Sequence, residues 1–490
     1  MKISTTDLFS AYQTNDLYCE LFGNVARALR PDTEAVISRL SALDPERLKE
    51  RARDAERELY NLGITFTVYT QKDVIDRILP FDVLPRVIDA QDWQTINEGV
   101  VQRVSAINHF LHDIYHEGHI LKDGIIPAEL VLGNSNYRPE MEGLTVPYGT
   151  YAHISGIDIV RGEDGRFRVL EDNARTPSGV SYVVENRHLM QRAFPDLMEG
   201  MGIQPVSNYG QKLHEALVDV APPHIPEPQV VLLSPGSYNS AYFEHIFLAR
   251  EMGVPLVEGR DLTVENDRVY MKTISGQRPV DVIYRRLNDD FLDPQVFNPD
   301  SLLGCPGLMT AYAKGNVTLA NAVGTGVADD KAVYAYMPRI ISYYLDQDPI
   351  LDNVETHICR EREGLQYTLD HLEELVIKPV GEAGGYGITV GPKASPEELE
   401  ACRANLQDNP ANYISQPMIN LSVCPTLTDE GIAPRHVDLR PFAVTGRDTW
   451  VLPGGLTRVA LRKGSIIVNS SQGGGSKDTW VLQATQDSQP

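Results

Sequence analysis

Three oxygen-bearing side chains stand at the ends of a predicted β-hairpin. Residues 151–173 have the pattern of two strands joined by the turn RGEDG, with Asp158 on the first strand and Glu171 and Asn173 on the second. Antiparallel pairing puts Asp158 nearly opposite Glu171, and alternation along a strand puts Glu171 and Asn173 on one face. Oxygen ligands of this kind select Mg²⁺ or Mn²⁺ over zinc. The alternative for the same residues is an acidic hairpin whose side chains face solvent.

A lysine followed by a glycine-rich turn forms a second candidate site. The segment LVIKPVGEAGGYGITV delivers Lys378 from a hydrophobic strand and returns into another strand after Gly381, Gly384, Gly385 and Gly387. Glycines let backbone N–H groups approach an anion closely, and the lysine adds positive charge. The pattern is neither a Walker A loop nor a dinucleotide-binding fingerprint, because a strand and not a helix follows it. It predicts a flap over phosphate groups, with an ordinary turn as the alternative.

Two adjacent arginines, Arg285 and Arg286, end a predicted strand of a parallel sheet. Ligands bind at the carboxyl edge of such sheets, so these arginines are candidate substrate contacts. A structural salt bridge to Asp289 or Asp290 explains the same residues equally well.

Three histidines have a spacing that could bind a metal ion. His109, His112 and His116 share the face of a predicted helix that lies opposite its apolar seam. We therefore expect them to point toward solvent or another subunit rather than to bind zinc.

The elements that must position these residues are a mixture of helices and strands. The N-terminal third is mostly helical: Asp44 caps one helix, with Pro45 in its first turn, and a second helix runs near residues 92–117. Residues 229–259 have the strand–helix–strand pattern of a parallel sheet, and short strands dominate the C-terminal part. We predict an α/β (α+β) fold with five regions: a helical N-terminal region (1–150), a segment with the metal ligands (151–200), a Rossmann-like substrate-side domain (201–325), a nucleotide-binding lobe with flap and hinge (326–420), and C-terminal strands that complete the catalytic lobe (421–490).

Composition excludes several classes of function. The 490 residues carry a formal net charge of −23, which disfavours binding to nucleic acid or to an anionic membrane surface. No apolar run approaches the roughly 18 residues that a membrane span needs. The five cysteines are scattered without a C-x-x-C pair, which suits a reducing compartment. We expect a cytoplasmic protein that binds no membrane, and homo-oligomerisation stays open.

Taken together, these motifs resemble the circularly permuted branch of the ATP-grasp superfamily. An ordinary ATP-grasp chain meets the glycine-rich flap first, then the adenine hinge, and the acidic metal ligands last. Here the D…E-x-N element at 158–173 precedes both the flap at 378–387 and the hinge-like segment YISQPMI at 413–419. LEDNARTPSG resembles the corresponding segment of glutathionylspermidine synthases. Further segments resemble the type 2 permuted proteins of bacteria: PSGVSYVVENR, PGSYNSAYFEH, YRRLNDDFLDP, GTGVADDKAVYAYMP, HVDLRPFAV and NSSQGGGSKDTWVL.

The resemblance implies a role for each matching position. Those roles are binding of two Mg²⁺ ions for Asp158, Glu171 and Asn173; ATP binding for Lys331, Lys378, Gly384, Gly385, Gly387, Ile414, Gln416 and Pro417; and contact with the transferred phosphate or a substrate carboxylate for Arg440 and Arg458. The synthases carry an arginine two residues before the first metal ligand, where this chain has Gly156. Arg161 or Arg175 is the expected replacement. We therefore include Arg175 among the predicted catalytic residues. We further predict substrate binding for Ser178, Arg285 and Arg286.

The implied reaction is ATP-dependent ligation of a carboxylate to an amine through an acyl phosphate. The substrates would be a small molecule or peptide with a carboxylate, plus an amine, and the cofactors ATP with Mg²⁺ or Mn²⁺. Two alternatives stay open: a phosphotransferase on the same fold, and a non-catalytic ATP-binding protein.

The three oxygen ligands predict the metal requirement. Activity should need Mg²⁺ or Mn²⁺ and should be indifferent to chelators that are selective for zinc, because carboxylate and amide oxygens favour hard cations. The measurement is ATP turnover in excess EDTA, before and after Mg²⁺ is restored. Full activity in EDTA would contradict the assignment.

Overall fold

A computed structural model describes residues 7–14, 16–23, 33–69, 74–223, 225–380, 387–465, 468 and 473–484. No helix in these ranges is both long and apolar enough to cross a membrane. The elements before residue 150 are α1 (Glu34–Ser41), α2 (Pro45–Asn61), β1 (Thr65–Tyr69), β2 (Val74–Ile78), β3 (Phe81–Ile88), α3 (Ala90–Ile114), α4 (His119–Lys122) and α5 (Ala128–Leu132).

Local sequence signals account for the two long N-terminal helices. The Asp44 side chain accepts hydrogen bonds from the backbone N–H groups of Glu46 and Arg47, and Pro45 occupies the first turn of α2, as predicted. The predicted second helix is α3, whose apolar seam is buried. The expectation of a helical N-terminal region was incomplete, because three strands, β1 to β3, interrupt it.

The middle of the chain forms a parallel sheet flanked by helices. Its strands run in the order β12-β11-β6-β7 within the described residues, and all three pairings are parallel. The predicted strand–helix–strand unit is therefore present as β6, α9 and β7. The elements here are β4 (Ile154–Arg161), β5 (Phe167–Asn173), α6 (Val180–Ala193), α7 (Pro195–Met198), α8 (Tyr209–Asp219), β6 (Val230–Leu233), α9 (Tyr242–Met252), β7 (Leu256–Val257), β8 (Leu262–Glu265), β9 (Arg268–Thr273), β10 (Gly276–Val280), β11 (Val282–Arg285), α10 (Leu308–Ala313) and β12 (Thr318–Ala320).

The last third begins with a broken helix and ends in strands. Residues 331–345 form two helices rather than one, because Pro338 lacks a backbone N–H and starts a new first turn. The elements are α11 (Lys331–Ala335), α12 (Met337–Leu345), β13 (Asp352–Asn353), β14 (His357–Ile358), α13 (Arg362–Asp370), β15 (Leu375–Pro379), β16 (Thr389–Val390), α14 (Pro396–Asp408), β17 (Tyr413–Pro417), β18 (Val423–Thr428), β19 (Gly431–Arg440), β20 (Phe442–Thr445), β21 (Thr449–Val451), β22 (Leu456–Val459) and β23 (Gly475–Val481).

Two sheets provide the candidate site. The largest sheet in the described part of the chain has ten strands, with the order β13-β5-β4-β19-β22-β23-β3 along its main path. A smaller antiparallel sheet has the order β14-β17-β15-β16. Helix α3 packs on the large sheet, where Val100 and Val104 join Ile157, Ile159 and Leu439 in one buried cluster. The hairpin with the predicted metal ligands thus lies inside the large sheet, where its strands are fixed on both sides.

A buried ionic network ties the N-terminal part to this sheet. Glu20 is fully buried and accepts hydrogen bonds from Arg86 at 2.6 Å, from Arg161 at 3.3 Å and from the Ser422 hydroxyl at 2.6 Å. Arg86 also donates to the Asp438 carbonyl at 2.9 Å. The network joins strands that are hundreds of residues apart, so its loss should destabilise the whole sheet.

Replacement of Glu20 by glutamine tests that role. The change keeps the shape but leaves two buried arginines without their shared anion, and breaking a buried ion pair in this way costs about 3–5 kcal/mol. Urea denaturation of Glu20→Gln should show that loss in the free energy of unfolding. The control is Glu46→Gln, which removes an exposed 3.4 Å pair with Lys49 and should change stability little. Equal stabilities for the two variants would refute the structural role of Glu20.

Candidate active site

The predicted metal ligands lie together as the hairpin pattern requires. Asp158 is the direct cross-strand partner of Glu171 in the β4–β5 pairing. Asn173 follows on the same face of β5, and its amide nitrogen donates to the Gly156 carbonyl at 3.2 Å. Asp172 faces the other side of the sheet, where Arg103 binds both of its oxygens at 2.5 and 2.8 Å. The acidic run therefore divides into a site-facing pair and a structural ion pair.

Two arginines from neighbouring strands bind Asp158, which is 1% exposed. Arg440 contacts both of its oxygens, with Nη2 at 2.8 Å from Oδ2. Arg458 Nη2 donates to Oδ2 at 2.6 Å, and Arg458 Nε lies 3.0 Å from each oxygen of Asp438. Two of the three predicted catalytic arginines, Arg440 and Arg458, therefore lie in the same cluster as the predicted metal ligands.

Gly156, at the position where the resemblance leads one to look for an arginine, is closely surrounded by other side chains. A Cβ atom added there would come within 3.1 Å of Arg440 Cδ and 3.2 Å of Pro177 Cβ, closer than ordinary contact. The missing side chain thus leaves room for Arg440 to cross the strand. Arg161 does not replace the absent arginine, because its guanidinium lies in the buried network with Glu20.

Arg175 lies at the edge of the cluster and is held by Asp329. Its Nε is 3.4 Å from Asp329 Oδ2, and its Nη1 donates to Asn136 Oδ1 at 3.3 Å. Asp329 also accepts the backbone N–H groups of Ala174 and Arg175 at 2.5 and 3.1 Å. Burial raises the pKa of Asp329 to about 6 against the opposing effect of Arg175. Asp329 therefore positions the segment that follows the metal ligands.

The charges of the two opposed carboxyl groups are unequal. Burial alone would raise the pKa of Asp158, but Arg440 and Arg458 hold it below its usual range. The pKa of Glu171 is raised, first by loss of solvent around its carboxyl group and then by the Asp158 charge. Arg440, at 3.8 Å, and Lys331 oppose that rise. A carboxyl group with a raised pKa beside a second carboxylate gains from a nearby cation, so this oxygen-only donor set fits Mg²⁺ or Mn²⁺.

The predicted nucleotide-binding residues come from the smaller sheet and from α11. Lys378 on β15 is paired with Ile414 on β17. Its ammonium group donates to Gln416 Oε1 at 2.6 Å, and Gln416 Nε2 donates to Thr356 Oγ1 at 2.9 Å. Burial lowers the pKa of Lys378 to about 8; Glu171 raises it and Lys331 lowers it further. Lys331 and Lys378 therefore lie close enough to each other and to the carboxyl pair for their charges to interact.

Two further residues of the predicted flap and hinge, Pro417 and Gly387, lie in or next to the sheet that carries Lys378. Pro417 ends β17, opposite Leu375 on β15. Gly387 has a φ of +69°, and a Cβ there would lie 3.0 Å from Pro379 Cγ, so this end of the flap requires glycine. The predicted flap residues Gly384 and Gly385 lie outside the described residues.

The paired arginines Arg285 and Arg286 have different environments. Arg285 is buried; it donates to the carbonyls of Leu287, Asn321 and Ala322 at 2.6–2.9 Å and lies 2.8 Å from Asp289. The prediction that Arg285 binds substrate is therefore wrong, since its donors hold the fold.

Arg286 and Ser178, in contrast, both line a cleft at the end of the parallel sheet. The Ser178 carbonyl also accepts a bond from Arg440 Nη1 at 3.3 Å. Their role as substrate contacts stays a prediction.

The histidine helix carries no metal site in the described part of the chain. His109 and His112 on α3 and His116 in the turn after it are exposed, as predicted, and His112 and His116 stack on each other with ring centres 4.2 Å apart. No group of three or more His, Cys, Asp or Glu side chains among the described residues is arranged to hold a metal ion. The predicted magnesium site therefore depends on Asn173 as its third ligand.

Sequence reasoning missed Asp438, Asp329 and Thr356. Asp438 precedes Arg440 by two residues, so strand alternation could have placed both side chains on one face. Asp329 lies two residues before Lys331 without a local pattern that marks it. Thr356 follows a short strand and is identified only by its contact with Gln416.

A family model of the circularly permuted ATP-grasp proteins, type 2, matches residues 85–460. The chain belongs to this family. The match spans the hairpin, the parallel sheet, the lysine strand and the two arginines of the cluster, so the predicted resemblance and the ATP-grasp fold are confirmed. ATP-grasp enzymes in general use ATP and divalent metal ions.

Similar proteins occur in several bacteria. An uncharacterized protein of Synechocystis sp. is 51% identical over 97% of this chain and 99% of its own length. One from Mycobacterium tuberculosis is 49% identical over 97% of this chain and 86% of its own. A Frankia alni protein provisionally named glutamate–cysteine ligase 2-3 is 43% identical over 93% of this chain, but over only 52% of its own length.

A solved structure shares the fold at low sequence identity. The glutathione synthetase-like effector of Globodera pallida, in its apo form, superposes with a TM-score of 0.57 and 12% identity, covering 90% of this chain and 98% of the effector. At this identity the likeness supports the fold alone.

The lowered pKa of Lys378 gives a pH prediction. If this lysine binds nucleotide phosphate, its protonated form is needed, so ATP affinity should be about tenfold weaker at pH 9 than at pH 7. Lys378→Ala should bind ATP weakly at both values, with an unchanged melting temperature. Calorimetric titration measures the affinity. Lys393→Ala, an exposed lysine near the same sheet, is the control and should keep the wild-type pH profile; an identical profile for Lys378→Ala would remove Lys378 from the site.

Proposed function

We propose that this protein is an ATP-dependent carboxylate–amine ligase that acts through an acyl phosphate. The observation that carries the proposal is the cluster in which Asp158 and Glu171 oppose each other beside Arg440, Arg458, Lys331 and Lys378. Phosphoryl transfer needs little covalent help from a protein. It needs cations and metal ligands that surround the transferred group, and this cluster supplies both residue types.

Each group of residues has a distinct task in this reaction. Lys331 and Lys378 bind the phosphates of ATP, while Gln416 keeps the Lys378 ammonium group in place through its 2.6 Å hydrogen bond. Glu171, Asn173 and Asp158 would hold Mg²⁺, which when bound neutralises charge on the phosphate oxygens.

The arginines stabilise the carboxylate that attacks the γ-phosphate. Arg440 is directed by Asp158 and by the Ser178 carbonyl, and Arg458 by Asp158 and Asp438. Such buried, fixed donors cost no reorganisation when negative charge moves between substrates. The attack gives ADP and an acyl phosphate. An amine then displaces phosphate and forms the amide.

The name of the Frankia alni relative agrees with carboxylate–amine ligation. The alignment covers 52% of that protein, so the name belongs to a longer chain of which about half is matched here. We take from it only the reaction class. The reducing cytoplasm is the proposed location, since all five cysteines are buried and unpaired.

The test is a screen of amino acids and small peptides for ADP release, with mass spectrometry of the products. An amide product with stoichiometric ADP supports a ligase. Both reactions begin with the same phosphoryl transfer, and they differ in whether an amine then displaces the phosphate. A stable phosphorylated product would therefore indicate a phosphotransferase instead. ATP binding without turnover of any carboxylate would indicate a non-catalytic protein.

Glu171→Gln separates chemistry from nucleotide binding. The change keeps the side-chain volume but removes a formal charge from the proposed metal shell. Phosphoryl transfer should fall by at least about a hundredfold, since correct placement of the metal is worth several kcal/mol. ATP should still bind through Lys331 and Lys378.

The matched control is Glu163→Gln in the turn of the same hairpin. Glu163 is exposed and lies outside the cluster, so its loss should leave turnover unchanged. Near-normal turnover by Glu171→Gln would mean that Glu171 does not hold the catalytic metal.

A further inference from the structure

A cleft of about 260 Å³ lies at the carboxyl ends of β6 and β11. Its lining comes from three places: Thr176 and Ser178 after the metal-ligand strand, Asn239 and His245 around the start of α9, and Arg286 with Asn288 after β11. The size suits one amino-acid-sized group rather than a nucleotide.

The topology of the parallel sheet explains why a cleft forms here. Strand β6 lies between β11 and β7. The chain leaves β6 toward β7 through α9, and it later returns on the other side of β6 to form β11. The connections diverge at this point, and in open parallel sheets ligands bind at such switch points.

Arg286 brings a buried donor to this cleft. The residue is 7% exposed; its Nη1 donates to the Pro177 carbonyl at 2.7 Å and its Nη2 to Glu244 at 3.0 Å. Its Nε has no hydrogen-bond partner among the described residues. The other oxygen of Glu244 accepts from the Gly179 and Ser181 backbone N–H groups and from the Ser181 hydroxyl. Arg286 thus keeps a fixed guanidinium group among the residues that line the cleft.

The remaining charges of the cleft favour an anion. None of the described residues that line it is Asp or Glu. His245 is neutral, because burial and then Arg286 lower its pKa to about 2 and Ser234 Oγ bonds to its Nδ1 at 2.8 Å. Helix α9, which has eleven residues, begins at this edge and adds the positive end of its dipole.

The cleft also lies next to the proposed phosphoryl-transfer site. Thr176 and Ser178 belong to the segment that follows Asn173, and the Ser178 carbonyl binds Arg440. A molecule seated at Arg286 would thus reach past Ser178 toward the carboxyl cluster.

We infer that this cleft is the subsite for a carboxylate that takes no part in the reaction, at the amino-acid or peptide end of a substrate. The inference rests on the proposed ligase function. It separates the protein from a polyamine ligase, because a polyamine needs acidic side chains that this lining does not offer. The carboxylate belongs either to the acid that is phosphorylated elsewhere in its structure or to the amine acceptor.

The experiment measures binding of the twenty protein amino acids, of their carboxamides and of spermidine. Each is titrated into the protein in the presence of Mg²⁺ and a non-hydrolysable ATP analogue. At least one amino acid should bind, and its carboxamide should bind at least tenfold more weakly. Ala241→Leu, which fills the cleft, should weaken that amino acid at least tenfold without weakening the nucleotide. The matched control is Ser240→Leu, an exposed neighbour outside the lining. Arg286→Lys is a second variant. Its melting temperature must also be measured, because Arg286 donates a hydrogen bond to the Pro177 carbonyl and so contributes to the fold.

Binding that ignores both the carboxamide change and Ala241→Leu would overturn the subsite, as would binding of spermidine alone or of no amino acid. ADP release distinguishes the sources of the carboxylate. An amino acid that triggers ADP release alone is the phosphorylated substrate, and one that is needed only for amide formation is the acceptor. Amino-acid binding with the expected pattern but no ADP from any mixture would refute the ligase and leave the subsite. Ligation that is unaffected by Ala241→Leu would refute the subsite and leave the ligase.

Discussion

The buried carboxylate of Asp158 is the constraint on which the rest of the site depends. A charge that is 1% exposed must be compensated by partners with good geometry, and here two guanidinium groups supply them. Those groups come from Arg440 on β19 and Arg458 on β22, while Asp158 lies on β4. Three strands must therefore be in register before the charge is satisfied. Glu171, one strand away, is the carboxyl group left for a cation to compensate.

Contacts between strand β3 and the C-terminal strand β23 form one edge of the same sheet. Strand β3 pairs in parallel with β23, at the edge of the ten-stranded sheet, where Pro85 removes no needed hydrogen bond. Lys477 on β23 bonds to Asp82 on β3 and to the Pro425 carbonyl at 2.8 Å. Strand β3 of the N-terminal region is thus part of the ten-stranded sheet.

The segment between the proposed metal ligands and α6 links the carboxyl cluster to the cleft at Ser178. Asp329 accepts hydrogen bonds from the backbone N–H groups of Ala174 and Arg175, and Asn321 Nδ2 donates to the carbonyls of the same two residues at 2.8 and 3.2 Å. Further along, Glu244 binds the backbone of Gly179. The segment is held at both ends, so the cleft at Ser178 and the carboxyl cluster keep a fixed relation.

Local physics let the sequence by itself determine the hairpin, the opposition of Asp158 and Glu171, the Asp44 cap and the lysine strand, because strand alternation, turn chemistry and capping act between near neighbours. The order of the motifs along the chain also identified the permuted ATP-grasp family. The tertiary structure alone decided which arginine meets which acid: Arg440 and Asp158 are 282 positions apart, and no local period encodes that contact. It also decided that Arg285 holds the fold whereas Arg286 faces a cleft. The two are adjacent and chemically identical, so only the packing of distant segments around each guanidinium group can distinguish them.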